Sequence, residues 1–451
     1  MLFTSILIFL VLSTYICHND NSFNRLGTIT VAFITLMFIS SLNIVSISNG
    51  ITLFNNWFIF KTINLPIIFM MLLFIMSWLT YSSTNSISIN FNLLVLVLTN
   101  LLGLMTLPLV NDLLMLYIII ELQSYTLYLM TGLYNKSYNS TRASMLYFMT
   151  GGMASTIMLM SMYFLFNEYG TMNLNEMNML QNYNNTFNMT EMMLMMGLMF
   201  KMGMAPLHRW SMSVYNYAPT YMTAYMSIVA KLSMSSLMFA NYWLFDNYVM
   251  LLFMYMSLLM GAYKPLYQMN LKTMLAYSGM LNFGYLLLSV MSYDMSYYMY
   301  MMQYVLTHLL MFMMLLSAGE LVTPVSKWSP LLFMNQLNMN NNYLLMSLMM
   351  CMFSLMGMPP TPGFFSKLFI MESSLMDNYM FEMMLLMMCS VMATYYYANM
   401  MKMSMNSMTN KEQTVYMNST VAYMMSVTTM LLLTFYIYLP NMIEGLMMMY
   451  M

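Results

Sequence analysis

Apolar runs of roughly 20 residues succeed one another along the chain, the length a helix needs to cross about 30 Å of hydrocarbon. Charges, Asn clusters and prolines divide them into about fourteen spans: 1–17, 28–48, 63–81, 91–110, 111–133, 142–168, 189–210, 217–245, 248–263, 272–291, 296–318, 343–372, 379–402 and 420–439. Only Pro108 and Asn111-Asp112 divide the stretch 91–133. The pattern predicts an all-α polytopic membrane protein. The first run, Met1 to Cys17, lacks a basic n-region and a small-residue cleavage site, so it is read as a helix of the mature chain.

Charge placement orients these spans. If they alternate sides, the loops after odd-numbered spans hold Arg25, Lys136, Arg142, Arg209, Lys264, Lys272, Lys327, Lys402 and Lys411. The loops after even-numbered spans hold Lys61 alone, and acids gather there instead: Glu168, Glu176, Asp246, Asp294 and Asp377, with Glu444 in the tail. The positive-inside rule then places both termini on the outer face.

Composition narrows the class. Of 451 residues, 61% are hydrophobic and 6% charged, where a soluble protein carries about a quarter charged residues. Singly scattered basic side chains exclude a nucleic-acid binder, which needs clustered positive charge. Cys17, Cys351 and Cys389 lie inside apolar runs and are too few for a disulfide framework. Met occurs 75 times while Ile is sparse beyond residue 120, and residues with GC-rich codons are scarce. An AT-rich organellar genome that reads an isoleucine codon as methionine produces this bias. The absence of an Arg-rich amphipathic presequence agrees with synthesis inside the organelle.

A short motif occurs twice. Met202-Gly203-Met204-Ala205-Pro206 returns as Met356-Gly357-Met358-Pro359-Pro360, each copy within or ending an apolar span, with Pro362 following the second. An odd number of spans separates the copies, so the second is inverted relative to the first, as in many transporters. Gly and Pro at matching places predict two discontinuous helices, whose freed backbone is tolerated only in buried or wet surroundings.

Four ionisable groups remain deep inside spans: Glu121, Lys201, Lys231 and Lys367. A central lysine costs roughly 2.5–3.5 kcal/mol on insertion, so four such groups oppose insertion by on the order of 10 kcal/mol unless water or partners offset it. Snorkelling to an interface is open to Lys201, near the Pro206 break, but not to Lys231 at the centre of its span. Burial favours a neutral amine and a facing carboxylate favours an ammonium, so a modest change of separation moves a proton. A line of such groups is a proton relay. His208 beside the break and His308 mid-span are secondary candidates, since imidazole titrates near physiological pH; a structural role is the alternative for each. His18, His208 and His308 cannot supply the two bis-histidine pairs of a membrane cytochrome. With no Gly-rich phosphate loop and no Cys cluster either, no cofactor, metal or soluble substrate is expected on this chain.

Four segments carry a resemblance. Asp112 to Met130, containing Glu121-Leu122-Gln123-Ser124, and Phe200-Lys201-Met202-Gly203-Met204-Ala205-Pro206-Leu207-His208 are two of them. Asn270-Leu271-Lys272 through Gly284-Tyr285, and Gly357-Met358-Pro359-Pro360-Thr361-Pro362-Gly363-Phe364-Phe365-Ser366-Lys367, are the others. Together they resemble the fifth, seventh, tenth and twelfth helices of the antiporter-like membrane subunits of NADH-ubiquinone oxidoreductase, respiratory complex I. Within that family Glu-Leu-Gln-Ser and the lysine at 367 favour the chain 2 branch. The resemblance implies three N-terminal helices in 1–90, a five-helix repeat in 91–246, its inverted partner in 247–402, and a last helix and tail in 403–451. It implies that Glu121 pairs with Lys201, that Lys231 is the central relay lysine, and that Lys367 lies towards the exit, with Lys272 a further secondary candidate. The partners implied are the other membrane-arm and accessory subunits of complex I, and lipid, cardiolipin in particular, in the mitochondrial inner membrane. The termini would then face the intermembrane space. Two places depart from the family pattern: Met212-Ser213-Val214-Tyr215 lacks the usual acid, and Asn282 stands where a histidine is common.

Three other functions compete. A free-standing cation/proton antiporter shares the fold and buried lysines but needs several acids in the bilayer, where Glu121 stands alone. A non-pumping scaffold leaves the buried charges unexplained. A quinone-binding redox subunit is separable by photo-labelling with a quinone analogue.

Overall fold

The computed structural model describes residues 50–61, 64–84, 91–133, 137–181, 189–321, 333–336, 341–405 and 419–450, with the isolated positions 8, 29, 31, 32, 35 and 36. Every expected span from 63–81 onward coincides with a helix or a broken helix. These are α1 (Leu65–Thr84), α2 (Phe91–Thr106), α3 (Leu113–Gly132), α4 (Tyr138–Tyr169), a short α5 (Leu174–Gln181), α6 (Met189–Met202), α7 (Arg209–Tyr217) and α8 (Thr220–Ala240). They continue with α9 (Asn247–Tyr263), α10 (Leu271–Met291), α11 (Ser296–Leu321), α12 (Asn342–Met356), α13 (Pro362–Met376), α14 (Met380–Met405) and α15 (Ser419–Tyr450). Among the described residues six helices are long and apolar enough to cross a membrane, the bodies of α3, α4, α9, α10, α11 and α15. Apart from the isolated positions, the expected spans 1–17 and 28–48 lie outside the described residues, as do Arg25, Lys136, Lys327, Lys411, Cys17 and His18.

The all-α expectation fails at one place. Ile51–Leu53 (β1) and Phe58–Phe60 (β2) pair antiparallel, Ile51 opposite Phe60 and Leu53 opposite Phe58. β-branched and aromatic residues suit the pleated ladder. The reversal sits on Phe54, Asn55 and Asn56, all three at positive φ, closed by Trp57 N donating to Phe54 O at 3.1 Å. Left-handed residues at the centre of the turn match the right-handed twist of a hairpin, and Asn tolerates that conformation better than most.

The chain forms two compact units. The first comprises Met1–Met202, Val229–Val249 and Met448–Met451; the second comprises Gly203–Ile228 and Met250–Met447. In the first, α3 and α6 both pack against α4, and α2 packs against α1 and α3. Gly151 makes the α3–α4 contact possible, since a Cβ there would fall 1.7 Å from the Tyr128 hydroxyl. In the second, α10 is the central rod: all its residues but Tyr277 are buried, and α7, α11 and α13 pack around it. Helix ends follow their caps. Asp112 Oδ1 accepts from Leu114 N at 2.8 Å to start α3, Asn341 Oδ1 accepts from Tyr343 N at 3.0 Å to start α12, and left-handed Gly170 ends α4. Large apolar side chains on the outside, such as Leu114, Ile118 and Leu129 of α3 and Met145, Met149 and Met153 of α4, suit a lipid surface rather than water.

Both helix breaks have the same local form. α6 stops at Met202 and α12 at Met356, and the next residue, Gly203 or Gly357, takes a φ of 71° or 85°. Only glycine adopts that region without steric cost. The bonds Ala205-Pro206 and Pro359-Pro360 are both cis. Helix then resumes at Arg209 in α7 and at Pro362, the first residue of α13.

Candidate functional site

In the first unit the shared packing on α4 brings Glu121 of α3 and Lys201 of α6 into contact. Lys201 Nζ donates to Glu121 Oε1 at 2.5 Å, with both side chains buried. The Ser124 hydroxyl lies 3.2 Å from the other carboxylate oxygen and 3.5 Å from Nζ. Lys201 therefore points to a carboxylate and does not snorkel. A charge-assisted bond of this length holds a proton donor and a proton acceptor at transfer distance.

Lys231 sits on α8 with 4% of its surface exposed, and Ser227 and Ser235 lie one turn to either side. A second polar group joins the same helix to α3: Ser233 Oγ donates to Gln123 Oε1 at 3.1 Å. Asn100 of α2 completes it, donating to Thr126 Oγ1 at 2.7 Å and to the Gln123 carbonyl at 3.2 Å. Glu121 and Gln123 are two residues apart and so lie on different faces of α3, one towards Lys201 and one towards Asn100 and Ser233.

The second unit treats its buried amines differently. Lys367 of α13, 7% exposed, donates to the carbonyls of Leu355 and Met356, each at 3.0 Å. These are the last two residues of α12. A helix leaves its final carbonyls without intrahelical partners. Gly357 N and Met358 N satisfy those of Phe353 and Ser354, and the lysine satisfies the other two. The amine also lies 5.5 Å from the ring centroid of Tyr285. Gly363 lets the two half-helices close up, since a Cβ there would stand 1.7 Å from Ser354 O.

Lys272 was expected in a loop; it is instead the second residue of α10, buried, donating to Ala218 O at 2.6 Å. That carbonyl is the C-cap of α7, so this amine too seeks a helix-end acceptor. His208 is the residue before α7, its ring 6.0 Å from that of Tyr277. His308 is buried in α11 with its ring centroid 4.0 Å from that of Tyr304. Pro206, Pro359, Pro360 and Pro362 all fall at the two breaks.

Two buried carboxylates were missed by sequence reasoning. Glu191, in the first turn of α6, accepts from Tyr169 at 2.8 Å and Gln181 at 3.2 Å; Glu382, in the first turn of α14, accepts from the Tyr255 hydroxyl. Both follow polar turns and read as ordinary acids at span ends. Only their partners on neighbouring helices mark them out.

Helices broken at matching glycines, and buried amines set at those breaks, define the antiporter-like class of membrane subunit. The family described as NADH:quinone oxidoreductase/Mrp antiporter, TM, matches residues 110–394. The chain is 54% identical to NADH-ubiquinone oxidoreductase chain 2 of Debaryomyces hansenii over 99% of both chains. It is 42% identical to the protein of that name in Candida albicans, covering 96% of this chain and 93% of the relative. Its fold resembles a chain of respiratory complex I from Thermus thermophilus with bound aureothin, at a TM-score of 0.80, 19% identity and coverage of 98% and 99%. A chain of the Mrp complex from Dietzia gives a TM-score of 0.82 at 14% identity, over 99% of this chain and 94% of that one. The chain belongs to the NADH-ubiquinone oxidoreductase chain 2 family, and it is a multi-pass membrane protein with the antiporter-like helical fold.

Proposed function

We propose that the chain is a proton-translocating membrane-arm subunit of NADH:ubiquinone oxidoreductase in the mitochondrial inner membrane, working beside the other subunits of that complex. Electron transfer from NADH to quinone belongs to those other subunits. Protons are relayed by Glu121, Lys201, Lys231 and Lys367, with His208, Lys272 and His308 as secondary members. The fold is the fourteen-span one, with three N-terminal helices in 1–90, repeats in 91–246 and 247–402, a last helix and tail in 403–451, and both termini towards the intermembrane space. The matching Gly203 and Gly357 breaks support the repeat. Cardiolipin is the lipid we expect at its surface.

The observation that carries this reading is the Glu121–Lys201 pair. In water such a pair is ionic at neutral pH. In a dry interior the ionic form loses solvation, and transfer of one proton from Nζ to Oε1 converts it to a neutral acid and a neutral amine. A change in local hydration or in a neighbouring charge shifts the balance between the two forms, and each shift from one to the other moves one proton. Lys231 is a fixed amine deep in the same unit, so a proton released from the pair has a buried base to reach.

The test is Lys231→Met and Glu121→Gln in the assembled enzyme, reading protons translocated per electron in sealed vesicles. Assembly is expected to hold while the ratio falls at least twofold. An unchanged ratio in both variants defeats the relay assignment and leaves a structural subunit.

A further inference from the structure

Tyr285 of α10 has no part in the relay described above. It is fully buried, yet its hydroxyl has no hydrogen-bond partner among the described residues. Of the buried phenols in the same unit, Tyr300 donates to Asn282 Oδ1 at 3.1 Å and Tyr304 to Ser227 O at 2.9 Å, while the hydroxyls of Tyr396 and Tyr397, like that of Tyr285, have no hydrogen-bond partner among the described residues. An unmet buried hydroxyl costs stability, and phenylalanine would place the same ring without it. Packing alone therefore does not account for a tyrosine here.

The neighbour of that ring is the Lys367 amine, 5.5 Å from the centroid. Its two carbonyl partners, Leu355 O and Met356 O, accept hydrogen bonds but have no proton to pass on. A phenol both accepts and donates. Of these three groups around the amine, only the Tyr285 hydroxyl can carry a proton away from it. The hydroxyl lies outside hydrogen-bond reach of the amine, so the transfer requires the flexible lysine stem to swing from the carbonyls across the ring.

We propose that Tyr285 is a proton-carrying residue next to Lys367. The ammonium gives a proton to the phenol oxygen as the phenol's own O–H proton passes to a water molecule, which leaves as hydronium. The N–H bond breaks, one O–H bond of the phenol forms and another breaks, and the phenol ends neutral with its hydroxyl restored. This rests on Lys367 being a relay amine.

The experiment compares Y285F, Y285L, K367M and the Y285F/K367M double variant in the whole complex reconstituted into sealed vesicles, reading protons per electron. Normalising to electrons removes differences in the amount of assembled enzyme. Y285F is expected to lower the ratio to the K367M level, Y285L to do the same, and the double variant to go no lower. Should Y285F fail to assemble, Y285L supplies the reading. A wild-type ratio in either assembled Tyr285 variant overturns the proposal, and so does a Y285F loss that adds in full to that of K367M. A wild-type ratio in K367M strikes instead at Lys367 as a relay amine. A lowered K367M beside a normal Y285F condemns Tyr285 alone.

Discussion

The two units bury an amine by different means. In the first, Lys201 meets a carboxylate at 2.5 Å. In the second, Lys367 meets two helix-end carbonyls and an aromatic ring. The first arrangement supplies a full opposite charge and a group that can take the proton. The second supplies partial charges only, from the negative end of the α12 macrodipole and the face of Tyr285. A formal counter-charge holds an ammonium strongly and offers it a destination. Dipoles hold it more weakly, and the carbonyls offer none. The broken helix is what makes the second solution available, because an unbroken α12 would leave no free carbonyls for the lysine.

The largest effect should follow from stranding the charge in the first unit. Glu121→Ala leaves the Lys201 amine without its carboxylate, and breaking a buried pair from one side costs about 3–5 kcal/mol. Thermal loss of the assembled enzyme, followed on native gels, should show the drop. Adding Lys201→Met to Glu121→Ala should recover part of it, because the uncompensated amine is then gone. A double variant no more stable than Glu121→Ala would mean that the pair's worth lies in packing, and the contrast between charge and dipole would lose its first half.

Next in size come changes at the second break. Gly363→Ala drives a methyl group against Ser354 O, and backbone cannot step aside as a flexible side chain does. Overpacking of this kind costs about 1–3 kcal/mol. It also moves the end of α12 off its lysine, so the proton-to-electron ratio should fall together with stability. Lys367→Met keeps the packing and leaves two neutral carbonyls unmet, at about 1–3 kcal/mol each, but it also removes a desolvated buried amine, and that gain offsets part of the loss. It should therefore cost less stability than Glu121→Ala. A greater loss for Lys367→Met in the same thermal assay would reverse the ranking on which the comparison stands.

The helices from α1 onward and the two breaks were legible in the chain because membrane insertion writes them in long apolar runs and in Gly-Pro punctuation. Glu121, Lys201, Lys231 and Lys367 stood out for the same reason, each being anomalous in its run, whereas the buried Glu191 and Glu382 at span ends did not. The partners of these groups did not. Lys201 and Glu121 are distant in sequence, and their meeting depends on both α3 and α6 packing on α4; the resemblance to a family proposed the pair, and apolar periodicity had no means to, since the helices are apolar on nearly every face. The acceptors of Lys367 and Lys272 are backbone atoms, which carry no residue-specific signal at all. Lys272 was placed in a loop because a lysine at a span end reads that way, until the α7 C-cap carbonyl is found beside it. The hairpin at Asn55-Asn56 was passed over because its strands are only three residues each.

The smallest effects concern two glutamines that play the same part in the two units. Gln123 accepts from Ser233 and Gln303 accepts from Ser366, each at 3.1 Å, and each serine lies within two residues of a buried lysine. Replacing either glutamine by leucine removes one neutral hydrogen bond, worth about 0.5–1.5 kcal/mol. The two should not be equal. Gln123 Nε2 is buried without a partner among the described residues, whereas no such orphan is found on Gln303. Deleting Gln123 thus also relieves an unmet donor, and that gain offsets part of the lost bond. The stability loss measured for Gln123→Leu should accordingly be smaller than for Gln303→Leu. The opposite order would mean that Gln123 Nε2 makes a bond of its own, to water inside the first unit, and that this unit is wet beside Ser233.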